Sequence, residues 1–302
     1  MLQLLLGGSG SGKTTLLYQR IRARAEKGEK SILLVPEQFT SSTEGRIYRE
    51  LGDALSGMVE SFSFTSLAEK ILSTEGGAAV QTLSDAGRAV LVRRVLEELQ
   101  DNVHYYHRHR RSAAFCQMAA QTIDELKSAG LSGRQLAQLA GACGAESGKL
   151  SELALIFQGY ETLLARSGMD PSDRLELAGA RLEEALARHS LPEFLRDRAV
   201  FIDEFDTFNA PKKRLLGAML AALPSVTVAL CDDGAPLLPG DLSLFSGAKQ
   251  VAAQLRQLAR KNGAEVAVPQ LLRKDLRHRN APGLAAVAEL LETGSCTADA
   301  PA

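Results

Sequence analysis

Close to the beginning of the chain, Gly7-Gly8-Ser9-Gly10-Ser11-Gly12-Lys13-Thr14 satisfies the pattern G-x-x-x-x-G-K-[ST]. Glycines at these spacings let the backbone wrap closely enough for several N–H groups to point at phosphate oxygens. A helix that follows directly turns its positive end to the same spot. In that arrangement Lys13 reaches the β- and γ-phosphates and the Thr14 hydroxyl ligates Mg²⁺, with Thr15 counted among the nucleotide-binding residues. The expected ligands are ATP or a relative, and Mg²⁺. The plain alternative is a glycine-rich loop with a chance lysine. Its position between a predicted strand and a predicted helix weighs against that.

A nucleotide site of this kind needs an acidic residue at the end of a second buried strand. Ala199-Val200-Phe201-Ile202-Asp203-Glu204 supplies an apolar run that ends in two carboxylates. Asp203 is expected to hold Mg²⁺ through its water shell, and Glu204 to polarise an attacking water. The alternative is a strand that ends in surface carboxylates.

The elements that must position these groups follow from periodicity. Residues 2–6 and 31–35 are short apolar runs, the mark of buried parallel strands, and the second is stopped by Pro36. Between them a helix is predicted from Lys13 to Lys27, ending at Gly28. Strand, helix, strand is a βαβ unit and implies a parallel sheet. From about 65 to 189 the apolar positions recur three or four apart, at 67–72, 86–99, 115–126, 150–164 and 175–186, so this span reads as helical. Strand character resumes at 199–202 and 226–230, with crossover helices predicted at 212–223 and 251–261. The fold class expected is α/β: a P-loop NTPase with a parallel sheet and an all-helical insertion subdomain. The P-loop domain is placed at 1–64 and 195–292, the insertion at 65–194, and a disordered tail at 293–302.

Composition limits the function classes. Lys+Arg (35) and Asp+Glu (36) nearly cancel to a formal charge of −1, so no overall basic field advertises nucleic acid, although a local groove is not excluded. Cys116, Cys143, Cys231 and Cys296 lie far apart, which argues against a zinc or iron–sulfur site and suits a reducing compartment. No apolar run reaches membrane-spanning length and no signal peptide is evident, so the reading is cytoplasmic, without membrane contact.

Other clusters have more than one reading. His104-Tyr105-Tyr106-His107-Arg108-His109-Arg110-Arg111 mixes cations with aromatic faces, the chemistry of phosphate contact plus base stacking, yet also suits a solvated linker between helices, with a metal site on its three histidines as the remote alternative. Lys212-Lys213-Arg214 and the run from Arg273-Lys274 to Arg279 read as solvated helix faces. Phe62 and Phe64 alternate like core residues of a strand, with Ser63, Thr65 and Ser66 as candidate contacts to a DNA backbone.

Several segments, taken in order, resemble the N-terminal part of the AddB family, one of the two chains of bacterial AddAB helicase–nucleases. They are the P-loop at the start, Val35-Pro36-Glu37-Gln38-Phe39-Thr40 after the second strand, Ser61-Phe62-Ser63-Phe64-Thr65-Ser66-Leu67, the helices around 115–127 and 153–160, Phe201-Ile202-Asp203-Glu204-Phe205, and Leu242-Ser243-Leu244-Phe245. The Val-Pro-Glu-Gln-Phe segment is the discriminating one. The resemblance implies a component of an ATP-dependent helicase and exonuclease acting in double-strand-break repair, with DNA and an AddA-type motor subunit as partners. This chain corresponds to the first region of such a component, superfamily 1 helicase-like in fold.

Two departures stand out. Members of that family often carry a glycine after the aspartate, where this chain has Glu204. After the 226–230 strand, Cys231-Asp232-Asp233-Gly234 lacks the Gly-Asp-x-x-Gln sensor of working motors. No glutamine-bearing segment precedes the P-loop to read adenine. A small-molecule P-loop kinase and a scaffold that holds nucleotide without hydrolysing it remain the alternatives.

Overall fold

The computed structural model describes residues 1–76, 81–109, 111–144 and 147–293. Most of the predicted tail therefore lies outside the described residues, as does Arg110. The chain divides into two compact units. One comprises Met1–Leu67, Leu182–Phe208 and the chain from Leu216; the other comprises Ala68–Arg181 and Asn209–Leu215.

In the first unit the chain begins as β1 (Leu2–Gly7), α1 (Lys13–Ala25), β2 (Ser31–Leu34), α2 (Thr40–Leu51), a single turn α3 (Asp53–Ser56) and β3 (Val59–Phe62). It then enters α4 (Phe64–Glu75) and the helices of the second unit, α5 (Asp85–Glu98), α6 (Ala113–Ser128), α7 (Gly133–Ala140), α8 (Ser147–Ser167) and α9 (Pro171–Ala187). The sheet resumes with β4 (Ala199–Ile202), α10 (Ala210–Ala222), β5 (Ser225–Cys231), α11 (Ser246–Lys261), β6 (Gln270–Leu272) and α12 (Pro282–Thr293).

The six strands form one sheet in the order β3-β2-β4-β5-β1-β6, and every pairing is parallel. The protein is thus α/β. β2 and β4 are buried along their whole length, as strands covered on both faces must be, which is why they read as unbroken apolar runs. Leu17, Tyr18 and Ile21 of α1 and Ile47 and Leu51 of α2 pack in one cluster with Leu5, Leu33 and Phe201 of the sheet. That cluster fixes the two helices on one face.

The strands flanking the helical excursion are both neighbours of β2: Leu34 stands opposite Phe62 on one side and opposite Ile202 on the other. Beyond β3 the alternation of Phe62 and Phe64 does not continue a strand. Ser63 caps α4 instead: its hydroxyl accepts from Ser66 N–H at 3.1 Å, and the Ser66 hydroxyl accepts from Ser63 N–H at 2.8 Å. This is a reciprocal cap that turns the chain into a helix at Phe64.

The second unit has its own core, in which Val92, Val95, Ile123, Phe157 and Tyr160 are buried. Gly159 lets α8 lie against α5; a Cβ there would come within 2.7 Å of Val95 Cγ1. Inside this unit the Tyr160 hydroxyl donates to Asp170 at 2.7 Å, and Lys127 bridges Asp170 and Asp173. Among the described residues its only β-type pairing is the isolated bridge between Thr82 and Met169.

Candidate functional site

The loop after β1 is shaped by glycines that other residues could not replace. Gly10 and Gly12 hold φ of 79° and 88°, in the left-handed region. A Cβ on Gly7 would lie 2.6 Å from the carbonyl oxygen of Leu272 in β6, and one on Gly12 would lie 2.9 Å from Leu276 Cδ1. Lys13 opens α1 and its ammonium donates to the carbonyl oxygens of Gly7 and Gly8, both at 2.8 Å.

Asp203 follows β4 directly and is anchored to the neighbouring strand by its N–H, which donates to Leu34 O at 3.1 Å. It is 6% exposed. Its carboxylate accepts from the Glu204 N–H at 3.0 Å. Burial raises its proton affinity above the ordinary carboxylate value, against the pull of the Thr14 hydroxyl, the Glu204 N–H and the Lys13 and Arg46 charges. Glu204 is also pushed up, first by burial and then by the Asp203 charge, while Arg46 and Arg277 act the other way. Its backbone has φ of 66°, a conformation glycine adopts freely and a glutamate does not.

Ser9, Gly10, Gly12, Lys13, Thr14, Thr15, Asp203 and Glu204 all line one cavity of about 600 Å³. Gly7, Gly8 and Ser11 do not. They border a second cavity of about 560 Å³ together with Asp232 and Asp233, on the segment after β5. Ser11 is buried, and its hydroxyl has no hydrogen-bond partner among the described residues.

Sequence reasoning did not assign to the site several further residues of the first cavity, among them Gln38, Phe39, Arg46 and Arg277. Arg46 lies on α2, with its guanidinium carbon 5.1 Å from the centroid of the Tyr18 ring on α1. Tyr18 is buried and its pKa is raised to about 12, chiefly by that burial. The spacing Thr43, Ile47, Leu51 marks the buried stripe of α2 and places Arg46 beside it. That periodicity was the available signal.

Arg277 belongs to the basic run expected as a solvated helix face, and here the structure differs. Residues 273–279 form a connection between β6 and α12 that crosses the glycine-rich loop. Leu276 N–H donates to Gly10 O at 3.0 Å, and the Arg277 guanidinium donates to Ser9 Oγ at 3.0 Å. Asp275 pins the turn by accepting from the N–H groups of Arg277 and His278. Pairing of β6 with β1 is what carries this segment there.

In the run from His104 to Arg111, the Glu152 carboxylate accepts backbone N–H groups of His104, Tyr105 and Tyr106 at 2.7–3.3 Å. Tyr106 stacks on Phe115 at 5.3 Å. Among the described residues there is no cluster of three or more His, Cys, Asp or Glu able to hold a metal ion, and no helix is long and apolar enough to cross a membrane. Ser63 is buried and Ser66 is engaged with it, while Thr65 is exposed.

A parallel α/β sheet with a glycine-rich loop after one strand and a buried aspartate after another defines the class. The sequence model described as "ADDB, N-terminal" matches residues 4–288, so the chain belongs to the AddB N-terminal family. It is 34% identical over 296 residues to the B subunit of an ATP-dependent helicase/deoxyribonuclease from Desulforudis audaxviator, covering 94% of this chain and 25% of the relative. Proteins of the same description from Moorella thermoacetica (33% identical, 94% of this chain, 25% of the relative) and Clostridium perfringens (29%, 92% and 24%) are also similar. The chain spans about a quarter of the length of the curated relatives it matches.

Proposed function

We propose that this chain is the ATP-binding, helicase-like N-terminal part of the B subunit of an ATP-dependent DNA helicase/exonuclease acting in double-strand-break repair. The observation that carries the reading is that Lys13, Thr14, Asp203 and Glu204 line one cavity with Gly10 and Gly12, whose left-handed backbone favours glycine. Those residues fit the group they would hold. Two oxygen donors, one of them a buried carboxylate, suit a hard divalent cation such as Mg²⁺. Ser9, Gly10 and Gly12, with Lys13, Thr14 and Thr15, would form the phosphate cradle of a P-loop NTPase, in a loop whose remaining residues are Gly7, Gly8 and Ser11.

ATP bound there would supply the phosphoanhydride whose cleavage drives such an enzyme. Asp203 would hold the cation through its water shell, and Glu204, its proton affinity already raised, would polarise the attacking water. We assign 1–64 and 195–292 to the nucleotide-binding domain, 65–194 to a helical insertion and 293–302 to a tail. DNA and an AddA-type motor subunit are the proposed partners, since the relatives are named as B subunits of a helicase/deoxyribonuclease. The compartment is the cytoplasm.

Nucleotide should nonetheless turn over slowly in this chain alone, because sites of this kind are completed by arginines from a second domain. The test is a steady-state ATPase assay with Mg²⁺. Binding without sustained turnover is expected; turnover on the order of one per second, abolished by Asp203→Asn, refutes the slow-turnover part. Absence of any ATP binding refutes the nucleotide site.

A further inference from the structure

The cavity beside Lys13 contains a cation that the nucleotide-site reading does not use. Arg46 is half-buried on α2 and lines the same cavity as Lys13, Thr14, Asp203 and Glu204. Its guanidinium lies over the face of Tyr18, which stands one helical turn beyond Thr14 on α1. Stacking of this kind fixes the plane of the group and leaves the N–H donors at its edge to meet another acceptor. Among the described residues, Arg46 makes no hydrogen bond and no ion pair. Its charge is nonetheless felt by both carboxylates, whose proton affinities it lowers. An arginine held by its face, with its guanidinium donors uncommitted and opening on the cavity that Lys13 lines, is arranged to receive an anion rather than to brace the fold.

We propose that Arg46 contacts the terminal phosphate of a nucleoside triphosphate, so that the chain distinguishes triphosphate from diphosphate with a residue of its own. This rests on the nucleotide-site reading. Lys13 springs from the glycine loop and approaches phosphates from that side. Arg46 reaches the same cavity from α2, within charge range of Asp203 and Glu204, the residues that would stand beside a cation and a terminal phosphate. A planar fork of donors matches phosphate oxygens geometrically, which a lysine at the same place would not. Removing it takes away a contact that ADP never makes.

The test is equilibrium titration of the full chain with Mg-ATP and Mg-ADP. In Arg46→Ala the ATP affinity should fall about 10- to 100-fold, as expected for one lost charge-assisted contact, with the ADP affinity within about threefold of the starting value. Arg46→Gln, which keeps the stem over Tyr18, gives the same selective loss if the alanine variant unfolds. Arg46→Lys should recover part of it. Arg49→Ala, exposed on the same helix, should change neither affinity. Equal losses for ATP and ADP in Arg46→Ala, or none, overturn the proposal while leaving the cradle intact, provided Lys13→Ala weakens both nucleotides. If the unaltered chain binds neither, or Lys13→Ala binds both as before, the nucleotide-site reading falls and this one with it.

Discussion

Replacing Lys13 with Ala separates two jobs held by one ammonium group. Its Nζ donates to Gly7 O and Gly8 O at 2.8 Å each, but each carbonyl has a second donor: Asp232 N–H to Gly7 O and Ser11 N–H to Gly8 O, both at 3.3 Å. Truncation therefore strands neither oxygen, and the stability cost should stay near 1 kcal/mol. The effect on nucleotide is larger. Phosphates without that cation lose a charge-assisted contact of about 1.5–3 kcal/mol, or roughly 10- to 150-fold in affinity. The two quantities meet in a melting experiment. With ATP at about 100 times its dissociation constant the unaltered chain gains about 2.7 kcal/mol; at about 30-fold weaker affinity the same ATP gives the variant only about 0.9 kcal/mol. Titration calorimetry and thermal melts with and without Mg-ATP measure both terms. Lys27→Ala, exposed just beyond α1, should behave as the unaltered chain. If Lys13→Ala binds ATP as tightly as before, or is stabilised by it equally, the phosphate role of the loop is wrong.

Asp203→Asn should raise the melting temperature at neutral pH. Burial raises the Asp203 pKa, so its ionisation counts against the fold at pH above that raised value. The penalty disappears as pH falls below the ordinary carboxylate range, and the two chains should then converge; a constant or inverted difference across pH would contradict the burial argument. Glu152→Ala should cost about 3 kcal/mol in urea unfolding, because three backbone N–H groups lose a charged acceptor, and a loss below about 1 kcal/mol would mean that water replaces the carboxylate at little cost. Gly12→Ala should destabilise by about 1–2 kcal/mol, since φ of 88° and a contact at 2.9 Å to Leu276 both oppose a side chain; an unchanged melt would show that the 273–279 segment moves aside freely.

The strands nearest the cavity were legible because they are buried on both faces. Residues 2–6, 31–35, 199–202 and 226–230 are continuous apolar runs, and each became a strand with nearly those limits. Of the two edge strands, β3 was read only through the alternation at Phe62, and β6 not at all. Val59-Glu60-Ser61-Phe62 is half-exposed beyond Val59 and Gln270-Leu271-Leu272 is only half-buried, so neither carries the buried-strand pattern. Family membership was legible in the order of the motifs. The walls of the cavity were legible only in part. Arg46 went unseen because α2 was not recognised, following as it does a proline-stopped strand. Arg277 lay hidden in a cluster whose neighbours in sequence say nothing of Ser9, which it meets 268 residues away. No local pattern encodes such a contact; the pairing of β6 with β1 creates it.

The order of the strands also has a consequence in time. β1 carries the glycine-rich loop, yet its partners in the sheet are β5 and β6, with Leu2 opposite Val226 and Leu5 opposite Gln270. During synthesis at about 5–20 residues per second, the first strand waits roughly 11–45 s before the ribosome has made the residues it must lie beside. A nascent chain ending at Glu204 already contains all the motif residues, from Gly7 to Glu204, but no strand for β1 to pair with. β2, β3 and β4 have one another by then. The last-made strands thus complete a site whose residues were among the first translated.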